Sequence, residues 1–154
     1  MRVADDFMHN APVRQFFVSS ENAALAIRDR LVAFGDSLTQ GSVYSTGHDS
    51  FVYHVSAAVG LRVINAGKGG SRIADDGQLG RIRRMAYRPS DVVLFLSGYN
   101  DQRLGTSVAA YKATLIEALG VLSPQVSVVY LGTCLTMANY WGLGSDARVE
   151  EFRQ

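Results

Sequence analysis

The stretch Asp91-Val92-Val93-Leu94-Phe95-Leu96 constrains the fold most. It is an unbroken apolar run, closed off by Pro89-Ser90 before it and Ser97-Gly98 after it. Such a run suits a central parallel strand covered on both faces, because neither face of it can meet water. Three further short runs resemble it: Leu31–Phe34, Leu61–Ile64 and Val126–Leu131. Helical patterns lie between them. Phe51, Val55, Ala58 and Val59 share one face of a helix that Gly60 ends. Leu79, Ile82, Met85 and Ala86 share another, with arginines on its opposite side. Val108, Tyr111, Leu115, Leu119 and Leu122 mark a long helix stopped by Pro124. Alternation of this kind predicts right-handed βαβ units, a parallel sheet and helices on both faces.

Residues 1–30 read as a lead-in to a domain spanning 31–154. In the lead-in, Val13 to Val18 fits an edge strand and Ser20 could cap a short helix through Ala23, Ala24 and Ile27. At the other end, Asp146 to Gln154 begins a helical pattern that stops without a cap. A further strand after it would complete the sheet, so the expectation is a domain lacking its C-terminal portion. That leaves the far side of the Val126–Leu131 strand unpaired and predicts self-association.

The chain has 154 residues with a net charge of +1, so no basic excess points to nucleic acid. Its single cysteine, Cys134, excludes an internal disulfide and reads as a buried thiol. No apolar stretch is long enough to span a bilayer, and the N-terminus, carrying Asp5 and Asp6, lacks the pattern of a signal peptide. If Met1 is the true start, the default compartment is the cytoplasm.

Three of the strands end in polar or glycine-rich motifs: Gly35-Asp36-Ser37, Asn65 to Ser71, and Gly98 to Asp101. Parallel strands bring such ends to one edge of the sheet, where α/β proteins bind ligands. Together they supply a hydroxyl, backbone N–H groups freed by glycine and a side-chain amide. Those are the parts of a nucleophile facing an oxyanion hole.

The motifs resemble those of the SGNH hydrolases, also called GDSL esterases and lipases. Gly35-Asp36-Ser37-Leu38-Thr39-Gln40-Gly41 matches the first block of that family, Asn65-x-Gly67-x-x-Gly70 the second, and Gly98-x-Asn100-Asp101 the third. The resemblance implies a three-layer, flavodoxin-like α/β sandwich with a parallel sheet. It makes Ser37 the nucleophile of an ester hydrolase, without metal or organic cofactor. The oxyanion hole would come from the N–H groups of Ser37 and Gly70 and the side chain of Asn100. The substrate class is a small-molecule ester: a short acyl ester, an acetylated sugar or a lipid. Asp36 and Asp101 are expected to be structural, Asp101 orienting the Asn100 loop.

The family's fourth element, an Asp-x-x-His toward the C-terminus, has no counterpart, since no histidine follows Asn100. Asp6-Phe7-Met8-His9 has that spacing at the opposite end, and a permuted arrangement would make His9 the base and Asp6 its orienter. Truncation is the simpler reading. His48 would line the cleft or face solvent, and His54 reads as a packed, hydrogen-bonded side chain. Lys68 and Arg72 are candidates to attract an anionic substrate. Tyr44, Tyr99, Tyr140 and Trp141 are candidates for an acyl or sugar pocket, Tyr99 foremost. Two other functions compete: a binding module on the same fold without turnover, and an anion binder using Gly67 to Ser71 as a nest. The latter stretch matches neither the P-loop nor Gly-x-Gly-x-x-Gly, and Ser37 lacks the Gly-x-Ser-x-Gly setting of the α/β-hydrolases.

Overall fold

A computed structural model describes residues 13–17, 28–41, 50–74 and 77–132. In chain order the elements are β1 (Val13–Phe17), β2 (Arg30–Gly35), α1 (Ser37–Gln40), α2 (Phe51–Val59) and β3 (Arg62–Gly67). They continue with α3 (Gln78–Arg84), β4 (Val92–Leu96), α4 (Tyr99–Arg103), α5 (Val108–Leu122) and β5 (Val128–Gly132). The sheet order is β1-β5-β4-β2-β3. Strands β3, β2, β4 and β5 run parallel, and β1 lies antiparallel on β5.

Successive residues of a strand face opposite sides of its sheet, and here the two sides have separate cores. Val32, Phe34, Val93, Phe95, Val129 and Leu131 pack with Ile82, Tyr111, Ala118 and Leu122 from α3 and α5. Leu31, Ala33 and Val92 pack instead with Val52, and Phe51 and Val55 of α2 lean on them. The result is the expected three-layer α/β sandwich. The apolar run at 92–96 is its middle-sheet strand, bonded on one side to β2 and on the other to β5.

Several expectations need correction. The far side of β5 is not open, because β1 pairs along it from Val13↔Gly132 to Phe17↔Val128. Of the two options for the lead-in, the edge strand forms, and the helix at 20–27 falls outside the described residues. Strand β3 continues past Ile64 to Gly67, since Asn65, Ala66 and Gly67 pair with Ala33, Phe34 and Gly35. The inward face of α2 is set by Val52 and Ser56, whereas Val59 is 49% exposed. Ser56 can lie inward because its hydroxyl donates to the Leu61 carbonyl. Helix α3 stops at Arg84, where Met85 turns to extended backbone. The segment after Gly98 divides into α4 and α5 at Gly105, whose φ of 80° breaks the helix. The helical pattern at 146–154, the loop at 42–49 and Cys134 lie outside the described residues.

Candidate active site

Each of the three motif-bearing strands delivers its loop to the carboxyl edge of the sheet, and β2 sits between the other two. At the end of β2 the chain turns so tightly that a Cβ on Gly35 would fall 1.9 Å from Thr39 Oγ1 and 2.9 Å from the Leu96 carbonyl. Only glycine fits there. Asp36 then caps α1, its Oδ1 accepting the Leu38 N–H at 2.9 Å. Ser37 follows as the first helical residue and is half-buried. N–H groups in a helix's first turn have no partner within the helix. The Ser37 N–H belongs to that set.

The loop after β3 packs directly on α1. Asn65 donates through Nδ2 to the Thr39 carbonyl at 2.8 Å and accepts the Gly67 N–H at 3.0 Å. The Gly69 N–H donates to Gln40 Oε1 at 2.6 Å. A Cβ on Gly67 would meet Gln40 N at 2.4 Å, so this contact also requires glycine. Gly70 is exposed with φ 72°, and among the described residues its N–H has no acceptor.

The loop after β4 turns at Gly98, φ 113°, into α4. Asn100 is 3% exposed. Its Nδ2 donates to Asp36 Oδ2 and to the Ser71 carbonyl, each at 3.3 Å. One amide thus touches the neighbour of Ser37 and the neighbour of Gly70. Both bonds are long, and bonds of that length are weak and readily exchanged for a shorter one to an anion. The Asp101 carboxylate accepts the Ile73 N–H, at 3.0 Å to Oδ2, and so ties α4 to the segment just past Gly70.

Burial raises the pKa of Asp36 above the usual carboxylate range; the Leu38 N–H opposes the shift and the Asp101 charge adds to it. Asp101 is raised too, again by burial first, with the Ile73 N–H, the Thr106 hydroxyl and the Arg72 charge opposing. A buried carboxylate without a full counter-charge disfavours ionisation.

One contributor was not foreseen. Arg81 of α3 was expected on a solvent-facing side, yet it reaches over the sheet's end. It donates to the carbonyls of Gly35 at 2.9 Å, Ala66 at 2.8 Å and Gly77 at 2.7 Å, and to Ser71 Oγ at 3.2 Å. Burial lowers its pKa, and the neighbouring Arg84 charge adds to that. Helical periodicity alone could not reveal this role.

Of the other candidates, Tyr99 is half-buried at the start of α4, Lys68 is exposed and Arg72 is half-buried. His54 is exposed on α2 instead of packed, because the inward phase of that helix belongs to Val52 and Ser56. Asp6, His9, Tyr44, His48, Tyr140 and Trp141 lie outside the described residues. Among the described residues there is no cluster of three metal-ligating side chains, and no helix is long and apolar enough to cross a membrane.

A parallel sheet carrying these three loops on one edge is the frame of an SGNH-type hydrolase. The profile of the GDSL-like lipase/acylhydrolase family matches residues 33–154, and the chain belongs to that family. By class it is therefore a carboxylic ester hydrolase. Solved structures agree. AlinE4, an SGNH-hydrolase family esterase, is 25% identical with a TM-score of 0.66; the match covers 83% of this chain and 68% of that one. A lipolytic G-D-S-L family protein from Veillonella parvula is 22% identical at TM-score 0.65, covering 80% and 67%. TesA is 22% identical at TM-score 0.60, covering 80% and 68%. The last two likenesses speak to the fold alone. No curated protein sequence matches the chain.

Proposed function

We propose that the chain is a serine ester hydrolase acting through an acyl-enzyme on Ser37, with oxyanion donors from Ser37, Gly70 and Asn100. The observation that carries this reading is the Asn100 amide, held between Asp36 and Ser71. It ties the hydroxyl-bearing turn and the glycine turn to a third donor on one sheet edge.

In the reaction, Ser37 Oγ attacks the ester carbonyl carbon and its proton passes to a base. The carbonyl oxygen becomes an anion, accepting from the Ser37 and Gly70 N–H groups and from Asn100. Asn100 releases one of its long bonds to do so. Each such donor lowers the barrier by about 3 kcal/mol. Collapse breaks the bond to the alcohol, which leaves with the proton, and water repeats the sequence on the acyl-serine. The resemblance to the SGNH family makes that base a histidine. His9, three residues after Asp6, has the family's spacing but at the opposite end of the chain, and both lie outside the described residues. Asp36 and Asp101 are positioning groups, because both carboxylates are occupied by N–H donors.

The competing reading is a binding module on the same fold, without turnover. Hydrolysis of p-nitrophenyl acetate by the parent chain and by Ser37→Ala separates the two. Turnover in the parent, lost in the variant, together with an acyl adduct on Ser37 by mass spectrometry, is the expected result. Equal rates in both proteins overturn the nucleophile.

A further inference from the structure

The guanidinium of Arg81 stands out because its four acceptors come from separate stretches of chain. Nη2 reaches the Gly35 carbonyl and Ser71 Oγ, Nε reaches the Ala66 carbonyl, and Nη1 the Gly77 carbonyl. Gly35 is the last residue of β2, two before Ser37. Ala66 lies at the end of β3. Ser71 follows Gly70, and its carbonyl is the one that receives Asn100. A single side chain therefore spans the turn that bears Ser37 and the turn that bears Gly70, and reaches Asn100 through Ser71.

That span matters because the Gly70 turn has few other holds. A Cβ built on Gly70 would meet nothing within 4 Å among the described residues, so no described side chain packs against it from that direction. Around it the Gly69 N–H is held by Gln40, the Ser71 N–H by the Lys68 carbonyl, and the Lys68 N–H by the Gly35 carbonyl. The Gly35 carbonyl is thus shared by the Lys68 N–H, by Arg81 and, at 3.3 Å, by the Ser71 hydroxyl, which lies closer to the Lys68 carbonyl at 2.8 Å. The planar fork of an arginine can satisfy several acceptors at fixed angles, which a lysine ammonium cannot reproduce.

We infer that Arg81 is a positioning residue for the reaction at Ser37, fixing the distance from the Ser37 turn to the Gly70 donor. This rests on the Ser37 reading given above. It assigns Arg81 no contact with substrate. Its effect lies in the geometry of the oxyanion donors, where displacement of about 1 Å costs about 100-fold in rate.

The test uses the full chain and its Arg81→Ala and Arg81→Lys variants, with Ser37→Ala alongside. With p-nitrophenyl acetate, Arg81→Ala should lower kcat by about 10- to 100-fold while KM stays within about twofold, the pattern of a contact that matters only in the transition state. Arg81→Lys should recover little of that loss, and added methylguanidinium should restore Arg81→Ala saturably. Amide hydrogen exchange supplies a readout independent of turnover. Exchange at Lys68, Gly69 and Ser71, whose N–H groups are bonded, should quicken about tenfold or more in Arg81→Ala, with core amides such as Val32 and Val93 unchanged. A kcat within twofold of the parent overturns the inference. So does exchange that rises equally in loop and core, which would mark general loss of stability. The two readings fail differently: Ser37→Ala as active as the parent removes the nucleophile, whereas an inactive Ser37→Ala beside a fully active Arg81→Ala removes only the positioning role.

Discussion

The two edges of the sheet handle charge in opposite ways. At the amino edge charges pair with each other. Arg30 at the start of β2 grips Asp91 just before β4, Nε to Oδ1 at 2.8 Å and Nη2 to Oδ2 at 2.5 Å. Asp29 joins Arg62 at 2.9 Å and Arg88 at 3.3 Å nearby. At the carboxyl edge Asp36, Asp101 and Arg81 bond to backbone and neutral side chains instead. Asp36 holds the Leu38 N–H and Asn100, Asp101 holds the Ile73 N–H, and Arg81 holds carbonyls and a hydroxyl. A paired charge has its field cancelled at short range. A charge bonded to dipoles keeps more of its field and is disfavoured by burial. The first arrangement serves stability. The second holds the three loops at fixed positions, at some expense of stability.

The sharpest way to break this contrast is Ser37→Ala, which should reduce ester hydrolysis by about 10⁶-fold with circular dichroism unchanged, as loss of a nucleophile does elsewhere. Next comes Asp91→Ala at the other edge. Asp91 has no exposed side-chain surface and Arg30 only 14%, so removing the carboxylate strands a largely buried guanidinium. Denaturant unfolding should show a loss of about 3–5 kcal/mol, with activity per folded molecule retained. Should Asp91→Ala instead lower activity specifically, the division of labour between the edges is wrong. Gly67→Ala comes third. Its Cβ would press on Gln40 N at 2.4 Å, and the urea midpoint should report about 1–3 kcal/mol of overpacking. Turnover should fall further than stability, because the push falls on α1 and hence on Ser37.

The smallest effect is a pH dependence. Burial raises the pKa of Asp101 in the folded chain above its unfolded value. Protonation therefore favours folding. The resulting stabilisation is complete below the unfolded value of about 3.9 and is lost as pH rises through the folded one. Asp101→Asn cannot ionise, so its stability relative to the parent should climb between acid and neutral pH. A difference independent of pH would show that the carboxylate ionises as freely in the fold as outside it.

Much of this was legible in the residues. Unbroken apolar runs located β2, β4 and most of β5, and glycine and proline located the ends of α2 and α5. Where the reading slipped, a local rule was overruled by a distant partner. Asn65 to Gly67 look like a turn but pair with β2. Ser56 looks outward but bonds the Leu61 carbonyl from within. That the turns bearing Ser37, Gly70 and Asn100 lie at one edge of the sheet was legible, because motif order and parallel topology place them there. Arg81 was not. On a helix an arginine facing water and one stretching over a sheet's end have the same spacing, and only the position of the sheet distinguishes them.

The pairing of β1 with β5 has a consequence for synthesis. Val13 is made more than a hundred residues before its partner Gly132. The opening strand must wait while β2, β3 and β4 are produced, its own ladder unmade. Closing so long a loop is slow, and strands that wait are prone to find the wrong neighbour. The pairing of β1 with β5 can form only after β2, β3 and β4 have been made.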